Sequence, residues 1–239
     1  MTTSPRGPDA RPLKVRVKTS RGRTTSQQKW LQRQLNDPYV ARAKREGWRS
    51  RAAFKLIEMD EKLHLFRRGM RVVDLGAAPG GWSQVAAKQI GAAEGHGKIV
   101  AIDLLEMDHV TGVTFAQLDF LDEKAPEQLL AMLDGQADVV MSDMAANATG
   151  HKKTDHLKIV ALVELAAEFA RQVLAPGGSF VAKVIQGGTE GALLADLKRD
   201  FSTVRHLKPA ASRADSAELY LVATGFRGQA AAAGADAED

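Results

Sequence analysis

The chain has 239 residues, of which 44% are hydrophobic and 26% charged, and this is enough apolar material for one ordinary α/β domain. It contains no cysteine, which excludes disulfides, thiolate metal sites and cysteine nucleophiles, so we expect a reducing compartment, the cytoplasm. No apolar run is long enough to span a membrane, and no cluster of His and carboxylate residues indicates a metal site.

The charge is distributed unevenly along the chain. Residues 1–51 hold fourteen Lys and Arg against three Asp and Glu, whereas the rest of the chain is net acidic and the whole carries +4. A basic arm on an acidic body indicates a polyanionic partner, and RNA or DNA is favoured over a membrane surface. A solvated tail that binds nothing is the alternative. An organelle transit peptide has a similar composition, but the apolar residues of the arm alternate instead of following helical spacing.

Composition divides the chain into a basic arm (1–28), a folded domain (29–227) and a C-terminal tail (228–239). The arm and the tail hold too few bulky apolar residues to fold alone, and we expect both to be disordered. No secretory signal is expected, because the N-terminal segment lacks a long apolar stretch. We expect a monomer.

The predicted elements of the domain alternate between helix and strand. They are, in chain order, a helix over 28–43, a helix over 50–63 with Ser50 as its N-cap, strand 71–76, a helix ending near 90, strands 98–104 and 113–118, helix 122–134, strand 138–143, helix 155–174, strand 179–185, helix 189–200, and strands 203–208 and 218–225. Such alternation predicts a Rossmann-like, doubly wound and mostly parallel sheet. About nine residues separate the last two strands, so that pair must be antiparallel.

A glycine-rich turn follows the first strand, in the segment VVDLGAAPGGW. It places Asp74 at the end of the strand and Gly76, Gly80 and Gly81 before a helix. Glycines allow a ligand to approach the backbone, and the start of a helix offers free N–H groups. The dinucleotide pattern G-x-G-x-x-G is absent, which favours a smaller nucleoside ligand such as S-adenosylmethionine over NAD. A tight connection without a ligand is the alternative.

Two carboxylates extend this candidate site along the sheet edge. Asp103 ends the second strand, where a carboxylate typically accepts hydrogen bonds from ribose hydroxyls, and Asp119 ends the third, where it can meet an adenine amino group. The alternative role of each acid is to form a turn or to cap a helix. Together with the glycine turn they predict a ligand site.

Charged residues also occur where a core is expected. Lys183 interrupts the apolar strand SFVAKVI, so it requires partners or a function if that strand is central. Asp143 ends a parallel strand and Glu218 begins the antiparallel last strand, which brings both to the same edge as Lys183. A lysine that reaches solvent from an edge strand, and an Asp143 that caps a turn, are the alternatives. Lys55 alone is best explained as part of a solvated helix face.

Five long motifs resemble those of the FtsJ/RrmJ family of 2′-O-ribose methyltransferases, namely DLGAAPGGWSQVA, AIDLLEMD, VVMSDMAAN, LAPGGSFVAKVIQG and SRADSAELYLVATGF. The resemblance as a whole extends over about residues 28–226. The resemblance implies that Lys55, Asp143, Lys183 and Glu218 form a catalytic tetrad and that Gly80, Trp82, Asp103, Asp119 and Asp143 contact S-adenosylmethionine. It implies methylation of the 2′-hydroxyl of a uridine in 23S ribosomal RNA of the large subunit. The usual SDMAPN reads SDMAAN here, with Ala146 replacing proline.

For this reaction a ribose hydroxyl must lose its proton, and a neutral Lys183 is the candidate base. A protonated Lys183 that orients the hydroxyl is the alternative. Rival functions are methylation of transfer RNA or another RNA by the same fold, RNA binding without catalysis, and dinucleotide-dependent oxidation. The intact tetrad argues against the second rival, and the missing G-x-G-x-x-G argues against the third.

Overall fold

The computed structural model of the chain describes residues 17, 22–145, 151–186 and 191–228. Seven strands form one sheet in these residues: β1 (Arg71–Leu75), β2 (Lys98–Asp103), β3 (Val113–Gln117), β4 (Ala137–Ser142), β5 (Leu174–Ile185), β6 (Phe201–Leu207) and β7 (Glu218–Phe226). Their order across the sheet is β3-β2-β1-β4-β5-β7-β6. Only β7 runs antiparallel to the others, since it pairs antiparallel with both of its neighbours. The predicted doubly wound sheet with an antiparallel last strand is therefore confirmed.

Seven α-helices occur in the described residues: α1 (Thr25–Leu35), α2 (Pro38–Glu46), α3 (Ala52–Leu63), α4 (Gly81–Ile90), α5 (Ala125–Leu133), α6 (Lys152–Val173) and α7 (Gly191–Asp200). A short 3₁₀ turn covers Ala92–Glu94. The ends of the helices and strands differ from the predicted ends by a few residues. The largest difference among the strands is in β5, which begins at Leu174 instead of residue 179. Residues 189 and 190 of the last predicted helix lie outside the described residues.

The single helix predicted over 28–43 is wrong, because two helices occupy this region. The first begins earlier, at Thr25, since Thr24 and Gln27 form a reciprocal capping box. The break falls at Asp37 and Pro38: the carboxylate of Asp37 accepts the N–H of Tyr39 at 3.0 Å, and proline occupies the first position of α2. Proline has no N–H to continue a helix but fits its first turn, so the chain restarts there.

Ser50 is not the N-cap of α3, contrary to the sequence prediction. That helix begins at Ala52 after Arg51, and no side chain caps it. The hydroxyl of Ser50 is buried without a hydrogen-bond partner in the described residues. It lies against α4 instead, because a Cβ built on Gly81 would be only 2.2 Å from Ser50 Oγ. Ser50 therefore packs against α4 and does not cap α3.

The sheet is covered on both faces, so its inner strands are buried. Helices α3 and α4 pack on the face that carries Val72, Val139, Val181 and Val222. Helices α5, α6 and α7 pack on the opposite face. Because successive side chains of a strand point to opposite faces, residues two positions apart share one face. This alternation places Lys183, two residues after Val181, on the face covered by α3.

Candidate active site

The pairing of β5 with β7 positions the charged residues of the candidate site. Lys183 lies directly opposite Tyr220, and Glu218 lies two residues before Tyr220 on the same face of the sheet. Asp143 is the first residue after β4, which is the parallel neighbour of β5 on its other side. Three strands therefore bring these side chains to one edge, beneath α3 and Lys55.

Lys183 and Asp143 form the first pair of the cluster. Lys183 Nζ is 3.0 Å from Asp143 Oδ1 and also donates a hydrogen bond to the backbone carbonyl of Asp143. The strand that carries Lys183 is an inner strand, so the edge-strand alternative for this lysine is wrong. A lysine ammonium in a mostly buried place requires such a partner, because its desolvation alone would be costly.

Lys55 and Glu218 form the second pair. Lys55 is only 7% exposed on α3, so its expected place on a solvated helix face is wrong. Its ammonium donates hydrogen bonds to a carboxylate oxygen of Glu218 and, at 3.0 Å, to the hydroxyl of Tyr220. The structure thus brings together all four members of the predicted tetrad, including the one that sequence reasoning alone did not select.

Tyr220 joins the two pairs and was not predicted. Its hydroxyl is 2.9 Å from Glu218 Oε1 and 3.2 Å from Asp143 Oδ1. The hydroxyl carries one proton, so it donates to one carboxylate at a time while it accepts from Lys55. A fully buried tyrosine requires a hydrogen-bond partner, and its place two residues after Glu218 was the available signal.

Electrostatics defines the protonation of two members of the cluster. Burial would raise the pKa of Glu218, but the charge and hydrogen bond of Lys55, with the hydroxyl of Tyr220, hold that pKa below its usual range. Burial, together with the charges of Asp143 and Glu218, raises the pKa of Tyr220 well above its usual value. At neutral pH Glu218 is therefore a carboxylate and Tyr220 a hydroxyl donor.

The glycine-rich turn lies between β1 and α4, next to this cluster. Gly80 adopts a φ of 101°, and a Cβ built on it would lie 3.0 Å from Met107 Sδ and 3.1 Å from both Arg49 Cδ and Val110 Cγ2. Only glycine fits this position without strain. No side chain caps α4, so the first N–H groups of that helix point to the turn without an intrahelical partner.

Asp74 is a buried carboxyl beneath the turn for which the sequence indicated no role. The Ser83 hydroxyl donates to Asp74 Oδ2 at 2.5 Å, whereas Oδ1 has no hydrogen-bond partner in the described residues. Burial raises the pKa of Asp74 to about 7; the Ser83 hydrogen bond opposes this shift, and the charges of Asp143 and Asp103 add to it. An unpartnered carboxyl oxygen beneath a glycine turn is a candidate contact for a ligand.

Asp103 and Asp119 both form turns at the edge of the sheet, as the local alternative proposed. Asp103 accepts the N–H groups of Leu105 and Ala78 at 2.8 and 2.9 Å, which ties the end of β2 to the glycine turn. Asp119 lies two residues beyond β3 and accepts the N–H of Leu121 at 2.9 Å. Each carboxylate oxygen can accept a further hydrogen bond, so these contacts leave room for a ligand hydroxyl or amine.

Exposed leucines lie beside the two acids. Leu104, Leu105 and Leu121 are between 60 and 68% exposed, although most large apolar side chains of the domain are buried. Exposed apolar side chains beside carboxylates fit a ligand that combines an apolar ring with hydroxyl groups.

Trp82 belongs to the core instead of presenting its ring to a ligand. Its side chain is 2% exposed, its ring centroid is 5.4 Å from that of Tyr220, and its indole N–H donates to the Ala52 carbonyl at 3.0 Å. Only its backbone N–H, in the first turn of α4, remains for a ligand. The indole therefore anchors α4 to α3.

The described part of the chain contains no helix long and apolar enough to cross a membrane. Within the same ranges, no group of three or more His, Asp or Glu residues is placed to hold a metal ion. Ala146, the departure from the family motif, lies outside the described residues.

Residues 48–226 match the FtsJ-like methyltransferase family, and the chain belongs to that family. The chain is similar over nearly its whole length to two proteins named Ribosomal RNA large subunit methyltransferase E. The protein from Azorhizobium caulinodans is 85% identical over 230 residues, which cover 96% of each chain. The protein from Xanthobacter autotrophicus is 82% identical over 230 residues, which cover 96% of this chain and 91% of the relative.

A solved structure supports the same fold. It is the crystal structure of a protein described as a ribosomal RNA methyltransferase from Plasmodium falciparum, and it superposes with a TM-score of 0.67 at 31% identity. The match covers 76% of this chain and 100% of the other. The sheet described above is therefore the Rossmann-like sheet of a methyltransferase.

Proposed function

We propose that the protein transfers a methyl group from S-adenosylmethionine to the 2′-hydroxyl of a uridine in 23S ribosomal RNA of the large ribosomal subunit. The observation that carries the chemistry is the Lys183–Asp143 pair, which lies at the sheet edge beside the glycine turn. The names of relatives 85% and 82% identical to this chain support the ribosomal RNA substrate. We place the protein in the cytoplasm as a monomer.

The residues present fit S-adenosylmethionine. Gly80 allows Met107 to pack directly against the turn, and Asp74 beneath the turn holds a buried oxygen without a partner in the described residues. The cofactor would be held by the glycine turn, the backbone N–H groups at the start of α4, and the carboxylates at the strand ends; the residues assigned to it are Gly80, Trp82, Asp103, Asp119 and Asp143. When bound, it supplies a methyl group on a positively charged sulfur.

The chain's own residues would prepare the ribose hydroxyl. Lys183 in its neutral form takes the proton of the 2′-hydroxyl, and Asp143 orients the Lys183 amine through the contact at 3.0 Å. Lys55 and Glu218 flank this pair and complete the cluster of four side chains. Tyr220 contacts both Asp143 and Glu218, so the carboxylate that orients the amine is itself held in place.

The alternative substrate is transfer RNA or another RNA. The same chemistry would serve any of these RNAs, because the tetrad acts on a ribose and not on a base. The basic residues before position 52 support a nucleic acid in either case, because they neutralise phosphates irrespective of sequence. Identity to proteins named for ribosomal RNA favours the large-subunit substrate.

A gene deletion combined with methylation in vitro tests this function. We expect primer extension at low nucleotide concentration to lose one 2′-O-methyl stop in 23S RNA from the deletion strain. Purified protein with labelled S-adenosylmethionine should then modify that nucleotide in large subunits from this strain, and Lys183→Ala protein serves as the control. Labelling of transfer RNA with none in 23S RNA would show that the proposed substrate is wrong.

A further inference from the structure

Arg49 lies in the connection between α2 and α3 and makes an unusual set of contacts. Its guanidinium donates to the carbonyl of Asp108 at 2.7 Å, to the carbonyl of Pro79 at 3.4 Å, and to the carbonyl of His109. Pro79 belongs to the glycine turn, whereas the other two carbonyls belong to residues 104–112, the β2–β3 loop. One side chain therefore joins two backbone segments that are separated by about 30 residues.

Both segments border the candidate cofactor site. The β2–β3 loop has no helix or strand of its own, and it carries Met107 and Val110, which pack beside Gly80. The aliphatic part of Arg49 packs at the same point, because its Cδ lies 3.1 Å from a Cβ built on Gly80. Arginine can bridge several acceptors at once, since its planar fork carries five N–H donors.

The backbone around Arg49 is fixed to α4, so the contact has a rigid base. The N–H of Arg49 donates to the side-chain oxygen of Gln84 at 3.0 Å, and the Gln84 amide donates to the Gly47 carbonyl at 2.9 Å. The same connection leads into α3, which carries Lys55. The guanidinium is therefore held on the folded domain while it binds the loop, which is also anchored by the packing of Met107 and Val110 against Ala77 and Ala101.

We propose that Arg49 is a positioning residue for cofactor binding: it holds the β2–β3 loop against the glycine turn and so keeps the site in its binding-competent form. This inference rests on the proposed use of S-adenosylmethionine. Without the guanidinium the loop samples open arrangements, and the apparent affinity falls by the fraction of molecules that remain competent. Cofactor that binds still selects the competent form, so the rate at saturation is preserved.

The test uses Arg49→Met, which retains much of the aliphatic packing and removes every donor, with Arg67→Met as the matched control. Arg67 is an exposed arginine in the connection between α3 and β1 and makes none of these contacts. Calorimetry with S-adenosylhomocysteine, the demethylated product, measures affinity without catalysis. We expect Arg49→Met to weaken binding about tenfold and to raise the KM for S-adenosylmethionine equally, with kcat changed less than twofold. Arg67→Met should match the unchanged protein.

Amide hydrogen exchange separates positioning from a general loss of stability. We expect faster exchange in 104–112 of free Arg49→Met, unchanged exchange in the sheet, and protection of the loop restored by S-adenosylhomocysteine. Arg49→Lys keeps one donor group and should recover part of the affinity; it carries the test if the methionine variant does not fold. Unchanged affinity and loop protection in the variants, or faster exchange across the whole sheet, would overturn the inference. An unchanged protein that binds no S-adenosylhomocysteine would overturn the proposed function instead.

Discussion

Lys183 and Tyr220 lie directly opposite each other in the antiparallel pair of β5 and β7, and both contact the same carboxylate oxygen. Lys183 Nζ is 3.0 Å and the Tyr220 hydroxyl 3.2 Å from Asp143 Oδ1. Side chains from β5 and β7 therefore hold one carboxylate oxygen of Asp143, the residue that follows β4. Such convergence fixes the direction in which the Lys183 amine points, and orientation of this kind is a large part of catalysis between two bound reactants.

Replacement of Lys183 tests its role as a base. We expect Lys183→Ala to lose roughly 10²–10⁴-fold in methylation rate, which is the usual contribution of a general base. Lys183→Arg should be equally inactive, because a guanidinium remains protonated and cannot accept a proton. The measurement is single-turnover methylation of large subunits, with binding of S-adenosylhomocysteine as the control for folding. Substantial activity in Lys183→Arg would identify a protonated Lys183 that orients the hydroxyl.

Tyr220→Phe removes the bridging hydroxyl and keeps the buried ring. We expect a fall in kcat of about tenfold, which corresponds to about 1.4 kcal/mol of lost orientation, and an unchanged affinity for S-adenosylhomocysteine. The Trp82 ring should stay in place, so near-ultraviolet circular dichroism should change little. Equal losses of kcat and cofactor affinity would instead indicate a packing defect.

Asp103→Ala should weaken cofactor binding more than RNA binding. The change removes the hydrogen bonds proposed for ribose hydroxyls and also releases the Ala78 N–H that the carboxylate holds at 2.9 Å. A hydrogen bond to a charged group contributes about 1.5–3 kcal/mol, so we expect the Kd for S-adenosylhomocysteine to rise roughly tenfold or more. Glu127→Ala, on the exposed side of α5, is the matched control. Calorimetry with no change for Asp103→Ala would refute this assignment.

The raised pKa of Asp74 predicts that the stability of the protein depends on pH. Its pKa is raised from the ordinary 3.8 to about 7, so between these values the unfolded chain loses the proton while the folded chain retains it. The free energy of unfolding therefore decreases as pH rises from about 4 to about 7, by up to about 4 kcal/mol from this group. Asp74→Asn cannot ionise, and its denaturation curves should lack this decrease. Parallel pH profiles for the two proteins would contradict the prediction.

The basic arm (1–28) should supply sequence-independent RNA affinity and no chemistry, and residues 1–23 are its part before the N-cap of α1. They hold seven Lys and Arg against one acid, Asp9, and lie outside every cofactor motif. Each phosphate neutralised contributes about 0.7–0.9 to the slope of log K against log[salt]. We expect their deletion to flatten this slope and to weaken RNA binding at low salt, with the rate at saturating RNA unchanged. A rate deficit that saturating RNA does not restore would place the arm in the active site, and an unchanged slope would identify a solvated tail.

The amino-acid sequence by itself determined the order of the elements from α3 onward, the glycine turn and three members of the charged cluster. These features depend on local patterns: strands alternate with helices, glycines precede α4, and the charged residues Asp143, Lys183 and Glu218 lie at the end, inside and at the start of apolar strands. The parallel order of such a sheet then brings strand ends to one edge without further information.

Only the tertiary structure decided which side chains meet across long sequence distances. Lys55 looks like a surface residue of an amphipathic helix until α3 packs over β7 and buries its ammonium against Glu218, 163 positions away. Packing of distant elements also explains three further contacts that the sequence did not reveal. The Tyr220 hydroxyl connects the two pairs, and Ser50 packs on α4. The Arg49 guanidinium contacts the Asp108 and His109 carbonyls. Local periodicity determines the face of an element on which a residue lies, whereas a buried polar group finds its partner only once neighbouring elements have packed.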